Sequence, residues 1–376
     1  MSLDNQDYHF MARAIQLAKK GQYTTHPNPR VGCIISKDNK IIGEGYHHRA
    51  GEAHAEVNAL SACKQFSHGA TAYVTLEPCS HTGKTPPCAN ALIEAQLNRV
   101  VIAMKDPNPL VAGRGIKRLK EAGIKVDVGV LEEQARSLNS GFIKRMEKGL
   151  PWVRVKLAMS LDGRTAMASG ESQWITGNEA RQDVQKLRAS ADAVLTGVGT
   201  VLADNPSLNV RLSASELGIR DEIIKQAKRI ILDTELKTPL DAKLLSLEGE
   251  TIIVTASQDE MLIRAFRALG VNIIEMEKDE SNHLPLEDIL SQLAQQEINE
   301  IHVEAGATLC GALIQKKLVD EIILYVAPIF MGSDAKGLLN LSGLEFMKDK
   351  IELSIKDVRA IGNDLRLSVC HTRATQ

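Results

Sequence analysis

From residue 31 to residue 330, short Val- and Ile-rich runs take turns with polar stretches of helical spacing, and few architectures accept that alternation. VGCII (31–35) and KIIGEGY (40–46), with Asp38 and Asn39 between them, predict two strands joined by a tight turn. HAEVNALSAC (54–63) predicts a helix, TAYVTLE (71–77) a strand and CANALIEAQ (88–96) another helix. VVIAM (100–104), IKRLKEAG (116–123) and VDVGV (126–130) continue the series. Later, EARQDVQKLRA reads as a helix, and DAVLTG, RIILDT, TIIVTA, VNIIEM, EIHVEA and DEIILYVAPIF read as strands. The tail IELSIKDVRAIGNDLRLSVCHTR predicts a closing antiparallel pair. An opening helix over 7–20 carries Phe10, Ala14, Leu17 and Ala18 on one side and stops at Gly21. The class is α/β, with helices on both faces of the sheet.

A chain of 376 residues exceeds what one core usually supports, so two domains are expected. LEEQARSLNSGFIKRMEKGLP (131–151) predicts one polar helical stretch ending at Gly149 and Pro151, followed at once by the strand-like WVRVKLAMS. The boundary falls there, giving domains over 1–148 and 149–376. SASELGIRDEIIKQ (213–226) reads as a surface insertion, and no internal repeat occurs.

The six cysteines, Cys33, Cys63, Cys79, Cys88, Cys310 and Cys370, are too sparse for a disulfide framework, so reduced thiols and a cytoplasmic location are expected. The N-terminus lacks the basic stretch and apolar run of a signal peptide, and no apolar segment is long enough for a membrane span. With a net charge of −2, dispersed Lys and Arg and 3% aromatics, the sequence offers no grip for nucleic acid. A small-molecule substrate is expected instead.

The most informative chemistry lies in AGEAHAEVNAL and in PCSHTGKTPPC (78–88). His54, Cys79 and Cys88 form a nitrogen and sulfur set, and three protein ligands leave a zinc ion one position for water. His54 and Cys88 both start predicted helices, where unpaired N–H groups favour the thiolate. Glu56 then stands beside the metal as the acid/base of a hydrolytic deaminase. Zinc nucleobase deaminases carry H-x-E followed by P-C-x-x-C. Here eight residues separate the two cysteines. Buried structural cysteines, or a structural zinc with His81 as fourth ligand, are the alternatives, and the second leaves Glu56 idle.

In the second half GVGTVL (197–202) lacks the third glycine of a Rossmann fingerprint. EIHVEAGATLCGALIQKK (300–317) predicts a strand, a Gly-rich turn and a helix, whose free N–H groups suit a phosphate. Tight packing explains those glycines equally well.

TTHPNPRVGCII, HHRAGEAHAE and TLEPCSHTGKTPPCANALIEA resemble the deaminase half of the bifunctional riboflavin-biosynthesis deaminase/reductases. PWVRVKLAMSLDGRTAMASGESQWIT, GVGTVLADNPSLNVR and VEAGATLCGALI resemble their reductase half, so the likeness spans nearly the whole chain. It implies a cytidine-deaminase-like α/β/α domain followed by a dihydrofolate-reductase-like α/β domain. The implied reactions are zinc-dependent deamination of a ribosylamino-pyrimidine phosphate, then reduction of its ribosyl group by NADPH. His54, Cys79 and Cys88 take the zinc, Glu56 moves the protons, and Asn28 in PNPRVG contacts the pyrimidine. On its own, Asn28 reads as a turn residue.

The same resemblance carries Ala158, Trp174, Thr200, Asp204, Gly306, Ala307, Thr308, Leu309, Cys310, Gly311 and Ala312 onto NADPH. Ser172, Arg188, Leu208, Arg211 and Glu304 fall on substrate positions, with Lys156 added on the strand of Ala158. Arg188, taken alone, reads as a solvated helix charge. The chain departs from the family pattern at Ala305, which needs a negative φ, and at Asn205, which suits a cap. A homo-oligomer, dimer or tetramer, is also implied. Two rival readings are a zinc nucleoside or RNA deaminase with a merely binding second half, and a zinc-stapled regulator whose second half senses a ligand.

Overall fold

The computed structural model describes residues 3–63, 66–80, 87–109, 111–219 and 224–372. His81 lies outside them, and so do 220–223 of the expected insertion. The chain forms two compact units, Met1–Leu150 and Pro151–Gln376.

The first unit runs α1 (Asn5–Ala18), β1 (Gly32–Lys37), β2 (Lys40–Tyr46), α2 (Ala55–Ala62), β3 (Thr71–Val74), α3 (Cys88–Glu94), β4 (Arg99–Ile102), α4 (Arg114–Glu121), β5 (Lys125–Val128), α5 (Glu132–Leu138) and α6 (Ser140–Lys148). Its sheet order is β2-β1-β3-β4-β5. β1 is antiparallel to both neighbours, and β3, β4 and β5 are mutually parallel. Strand alternation sorts the core onto two faces. Ile34, Tyr73 and Val101 pack with α1, whereas Cys33, Ile35, Val74, Val100 and Ile102 pack with α2, α3 and α4.

α2 lies directly on the sheet. A Cβ at Gly45 would collide with the backbone of Ala59 and Ala55, and one at Gly43 with the Ala59 carbonyl. These two glycines set how near the helix approaches.

α1 is tied down by a buried ion pair. Arg99 Nη1 and Nη2 donate to the two oxygens of Asp7 at 2.7 and 3.0 Å, while Arg99 Nε donates to Asp127 at 2.6 Å and Tyr73 Oη donates to Asp7 at 3.0 Å. Burial alone would raise the Asp7 pKa, but the Arg99 hydrogen bond and charge hold it below the ordinary carboxylate range.

The polar stretch 131–151 is two helices rather than the single one expected. Asn139 breaks it, with φ −126° and ψ 31°. Its Oδ1 accepts from the Arg30 amide at 2.8 Å and its Nδ2 donates to the Arg30 carbonyl at 2.9 Å, so its side chain pairs with a distant backbone.

The second unit contains β6 (Trp152–Ser160), β7 (Arg164–Ala166), α7 (Asn178–Ala189), β8 (Ala193–Gly197), α8 (Val198–Asp204), β9 (Lys228–Leu232), β10 (Thr251–Thr255), α9 (Glu260–Ala268), β11 (Asn272–Glu275), α10 (Leu286–Gln295), β12 (Glu300–Val303), α11 (Ala307–Gln315), β13 (Glu321–Ala327), β14 (Lys336–Gly337), β15 (Leu353–Ile361) and β16 (Asp364–His371). The sheet order is β11-β10-β9-β8-β12-β6-β13-β16-β15. Strands β11 through β13 are parallel, and the expected closing pair is β16 and β15. α7 covers one face, where Ala180, Val184 and Leu187 meet Ile323 and Tyr325.

Arg99→Met leaves the Asp7 carboxylate buried without its cation, and should cost roughly 3–5 kcal/mol of unfolding free energy in urea. The Asp7 contribution is present at neutral pH and fades as acid takes the pH down through its lowered folded-state pKa. An unchanged urea midpoint would mean that this pair does not hold α1. Gly45→Ala should destabilise the first unit by about 1–3 kcal/mol through overpacking against α2. Equal unfolding midpoints for Gly45→Ala and the parent would exclude that close approach.

Candidate active sites of the two units

β2 is antiparallel to β1, and β1 is antiparallel to β3, so β2, β3, β4 and β5 end at one edge of the sheet. The residues with metal chemistry gather at that edge. His54 is the N-cap of α2, and Asn58 of the same helix donates to the carbonyls of Tyr46 and Ala53, fastening the approach from β2. Cys79 follows β3, and Cys88 opens α3. The Cys88 amide donates to Cys79 Sγ at 3.2 Å, and His54 Nδ1 lies 3.2 Å from Cys88 Sγ and 3.6 Å from Cys79 Sγ. All three ligand atoms fall within 4.8 Å of one another. One nitrogen and two sulfurs converging at helix starts suit zinc.

Glu56, in the first turn of α2, is 3% exposed. Burial, followed by negative charge on Cys79, pushes its carboxyl up to about 7. The Cys88 hydrogen bond keeps the Cys79 thiol below its ordinary range, and the same hydrogen bond with burial keeps Cys88 above it.

Three supports were not visible in the sequence. Glu77 is buried and accepts from the amides of Gly113, Gly115 and Ile116, so it caps α4 and fixes the chain just before Cys79. Asn139 and Arg30 secure the PNPR turn that carries Asn28. His47 is buried between Asn28 Nδ2, 3.1 Å from its Nε2, and the ring of His54, 5.2 Å from its own. Each pairs residues far apart in the chain, which periodicity does not reveal.

In the second unit the parallel strands also end on one edge. Arg188 of α7 donates through Nε and Nη2 to Glu304, just past β12, at 2.5 and 2.9 Å, and through Nη1 to the Asn209 carbonyl at 3.0 Å. Arg188 is therefore a buried partner of Glu304 rather than a solvated helix charge. Burial pushes the Lys156 ammonium down, with Glu304 opposing and Arg188 adding to that push. Arg211 also feels burial, then Arg188 and Glu304. Lys156 and Arg211 thus both feel the charge of the carboxylate that Arg188 binds.

Gly306 is the N-cap of α11, which contains Ala307, Thr308, Leu309, Cys310, Gly311 and Ala312. Nothing lies within 4 Å of the Cβ position at Gly306 or Gly199, so open space faces both backbones. A Cβ on Gly197 would meet the Leu309 side chain at 3.5 Å, which makes the starts of α8 and α11 neighbours. Thr200 and Asp204 lie on α8, and Ala158 is on β6. Trp174 is 68% exposed, with the Arg181 guanidinium 4.7 Å from its ring, and Ser172 stands two residues before it.

Other expected positions are chiefly structural in their side chains. Leu208 is buried in the core with φ +50°, Cys310 is buried, and a Cβ on Gly311 would collide with the Asn340 carbonyl. Ala305 avoids positive φ. Asn205 ends α8 in the left-handed region, and its Oδ1 accepts from the Lys243 amide at 2.9 Å.

Comparisons with known proteins agree with this division. The family model for the cytidine and deoxycytidylate deaminase zinc-binding region matches residues 4–104, and that for the RibD C-terminal domain matches 151–367. The riboflavin biosynthesis protein RibD of Escherichia coli is 50% identical, covering 96% of this chain and 98% of its own length. That of Haemophilus influenzae is 46% identical, with 98% of each chain covered. Among solved structures, Acinetobacter baumannii RibD has a TM-score of 0.89 at 47% identity, covering 98% of this chain and 99% of its own. The Thermotoga maritima diaminohydroxyphosphoribosylaminopyrimidine deaminase/5-amino-6-(5-phosphoribosylamino)uracil reductase has a TM-score of 0.83 at 33% identity, over the same shares. A second half that merely binds or senses is thereby ruled out, because the likeness runs through both units: the chain belongs to the RibD family, bifunctional enzymes of riboflavin biosynthesis that join a deaminase to a reductase.

Proposed function

We propose that the first unit hydrolytically deaminates 2,5-diamino-6-ribosylamino-4(3H)-pyrimidinone 5′-phosphate, and that the second uses NADPH to reduce the ribosyl group of the product to a ribityl chain. The observation that carries the first half is the meeting of His54, Cys79 and Cys88 beside the buried carboxyl of Glu56. His54 Nδ1 and the two Sγ atoms hold zinc, which when bound supplies the Lewis acidity that makes water a nucleophile near neutral pH. Glu56 takes a proton from the attacking water and passes it to the departing ring amine, which leaves as ammonia. A carboxyl whose pKa lies at about 7 is matched to giving and taking a proton at that pH. Asn28, braced by His47, supplies a side-chain amide for the edge of the pyrimidine.

For the second half, three cations against one carboxylate leave a positive excess that suits a ribose phosphate. Arg188 already commits three nitrogens to Glu304 and Asn209, so the more exposed Arg211 is the better phosphate partner. Glu304, Lys156, Ser172 and the Leu208 backbone complete the substrate side. The open backbone at Gly306, the N-cap of α11, and at Gly199 in the first turn of α8 suits the NADPH phosphates. Ala158, Trp174, Thr200, Asp204 and Ala307 to Ala312 frame that cofactor. When bound, it supplies the hydride.

Two wider features belong to this reading. All six cysteines are free thiols, as a reducing cytoplasm favours. A homo-oligomer, dimer or tetramer, is favoured by the edge strand β15, which exposes Leu353, Ile355 and Val358 beside an apolar groove of about 450 Å³.

Glu56→Gln should lower deamination by about two to four orders of magnitude while leaving zinc content unchanged. The same variant should consume NADPH at the parental rate when given already deaminated substrate, followed by the fall in NADPH absorbance. Full deamination by Glu56→Gln would refute the proton role, and loss of zinc would make Glu56 a ligand. Chelation should strip roughly one zinc per chain and abolish deamination but not reduction. Active protein shown by elemental analysis to be free of metal would end the zinc assignment.

A further inference from the structure

His302 belongs to no part of the chemistry above, yet it occupies a singular position in the second unit. It lies on β12 two residues before Glu304, and its side chain is fully buried. Residues two apart on a strand share a face, so His302 stands directly behind Glu304 on the sheet. In register, His302 pairs with Arg154 of β6, and Arg154 pairs in turn with Glu321 of β13. Arg154 donates to Glu321 at 2.8 Å and lies 3.7 Å from Glu300. Two buried ionic groups therefore lie side by side, Arg188 with Glu304 and Arg154 with Glu300 and Glu321. His302 is the residue between them.

Its contacts are unusual for so deep a side chain. His302 Nε2 is 3.4 Å from Glu304 Oε1, yet neither ring nitrogen has an aligned hydrogen-bond partner, and Arg154 Nη1 also lacks one. Buried polar groups left this way are uncommon. Burial, with the charges of Arg154 and Arg188, outweighs the opposing pull of Glu304 and keeps the imidazole neutral. A neutral imidazole carries a single N–H. Directed at Glu304 Oε1, it adds a second donor to the oxygen that Arg188 Nε already binds.

We propose that His302 is a positioning residue for the reduction: with Nε2–H toward Oε1 it steadies, from within β12, the Glu304 carboxylate that Arg188 binds. The inference rests on the reading of Glu304 as a substrate-binding group. Arg188 holds both carboxylate oxygens through Nε and Nη2, and His302 adds a contact to one of them from within β12.

His302→Leu keeps much of the volume and removes the donor, whereas His302→Gln places an amide N–H near the position of Nε2. With already deaminated substrate, His302→Leu should raise KM for the pyrimidine about tenfold, the low end of what a hydrogen bond to a charged group contributes. KM for NADPH should stay within about twofold, and His302→Gln should recover to within about threefold of the parent. A merely structural histidine would lower the unfolding midpoint without separating the two KM values. Parental kinetics in His302→Leu, or equal impairment in both variants, would overturn the proposal. Glu304→Gln is the reference: if it reduces substrate at the parental rate, the reading of Glu304 fails and the proposal falls with it. If Glu304→Gln is impaired while His302→Leu is not, only the positioning role is lost. Should His302→Leu fail to fold, nitrogen-15 spectra of the parent protein decide, because a proton on Nδ1 instead of Nε2 would refute the geometry.

Discussion

Parallel strands cannot be joined by tight turns, and that restriction shapes both units. Each crossover must climb over a face of the sheet, so the helices begin along the edge where the strands end. His54 caps one such helix and Cys88 opens another. Gly306 caps a third, beside the start of α8. Unpaired N–H groups therefore collect on the edge where Cys79, Cys88 and the carboxylates of Glu56 and Glu304 lie. The topology supplies the anion-favouring surface, and the side chains decide what each unit does with it.

Positioning comes from residues that touch no reactant. Gly43 and Gly45 set the depth of α2, and Glu77 anchors the chain before Cys79 by capping α4. Asn139 breaks a helix in order to hold the backbone at Arg30. In each case a buried polar group or a missing side chain gives up local regularity for a fixed distance. A cluster drawn from separate segments needs that exchange, because His54, Cys79 and Cys88 must agree in position to within a fraction of an ångström.

This division also explains what could be read from the sequence. Residue type and order were enough to single out His54, Cys79 and Cys88, which the fold brings together, because each falls where a helix or strand boundary could be recognised locally. Strand alternation was equally legible, down to the closing pair of β15 and β16. The strand order of the second sheet was not, since β6 lies between β12 and β13, far along the chain. Nor was the burial of Arg188, whose helix gave no sign that Glu304 awaited it. Asn139, Glu77, His47 and His302 act through space on distant partners, and a one-dimensional pattern carries no such pairing.

Glu56 and Glu304 show how far neighbours govern the same side chain. Both are removed from water, and burial drives both toward the neutral acid. Near Glu56 the next influence is the negative charge of Cys79, which adds to burial and carries the carboxyl to about 7. Near Glu304 it is Arg188, whose charge and paired hydrogen bonds overcome burial and hold the group well below the ordinary carboxylate range. The first glutamate thus leans toward the neutral acid and the second toward the anion. Hydrolysis of an amine requires a proton in transit, whereas hydride transfer requires a substrate held still beside its donor. Opposite shifts on one residue type follow from the thiolate beside one glutamate and the guanidinium beside the other.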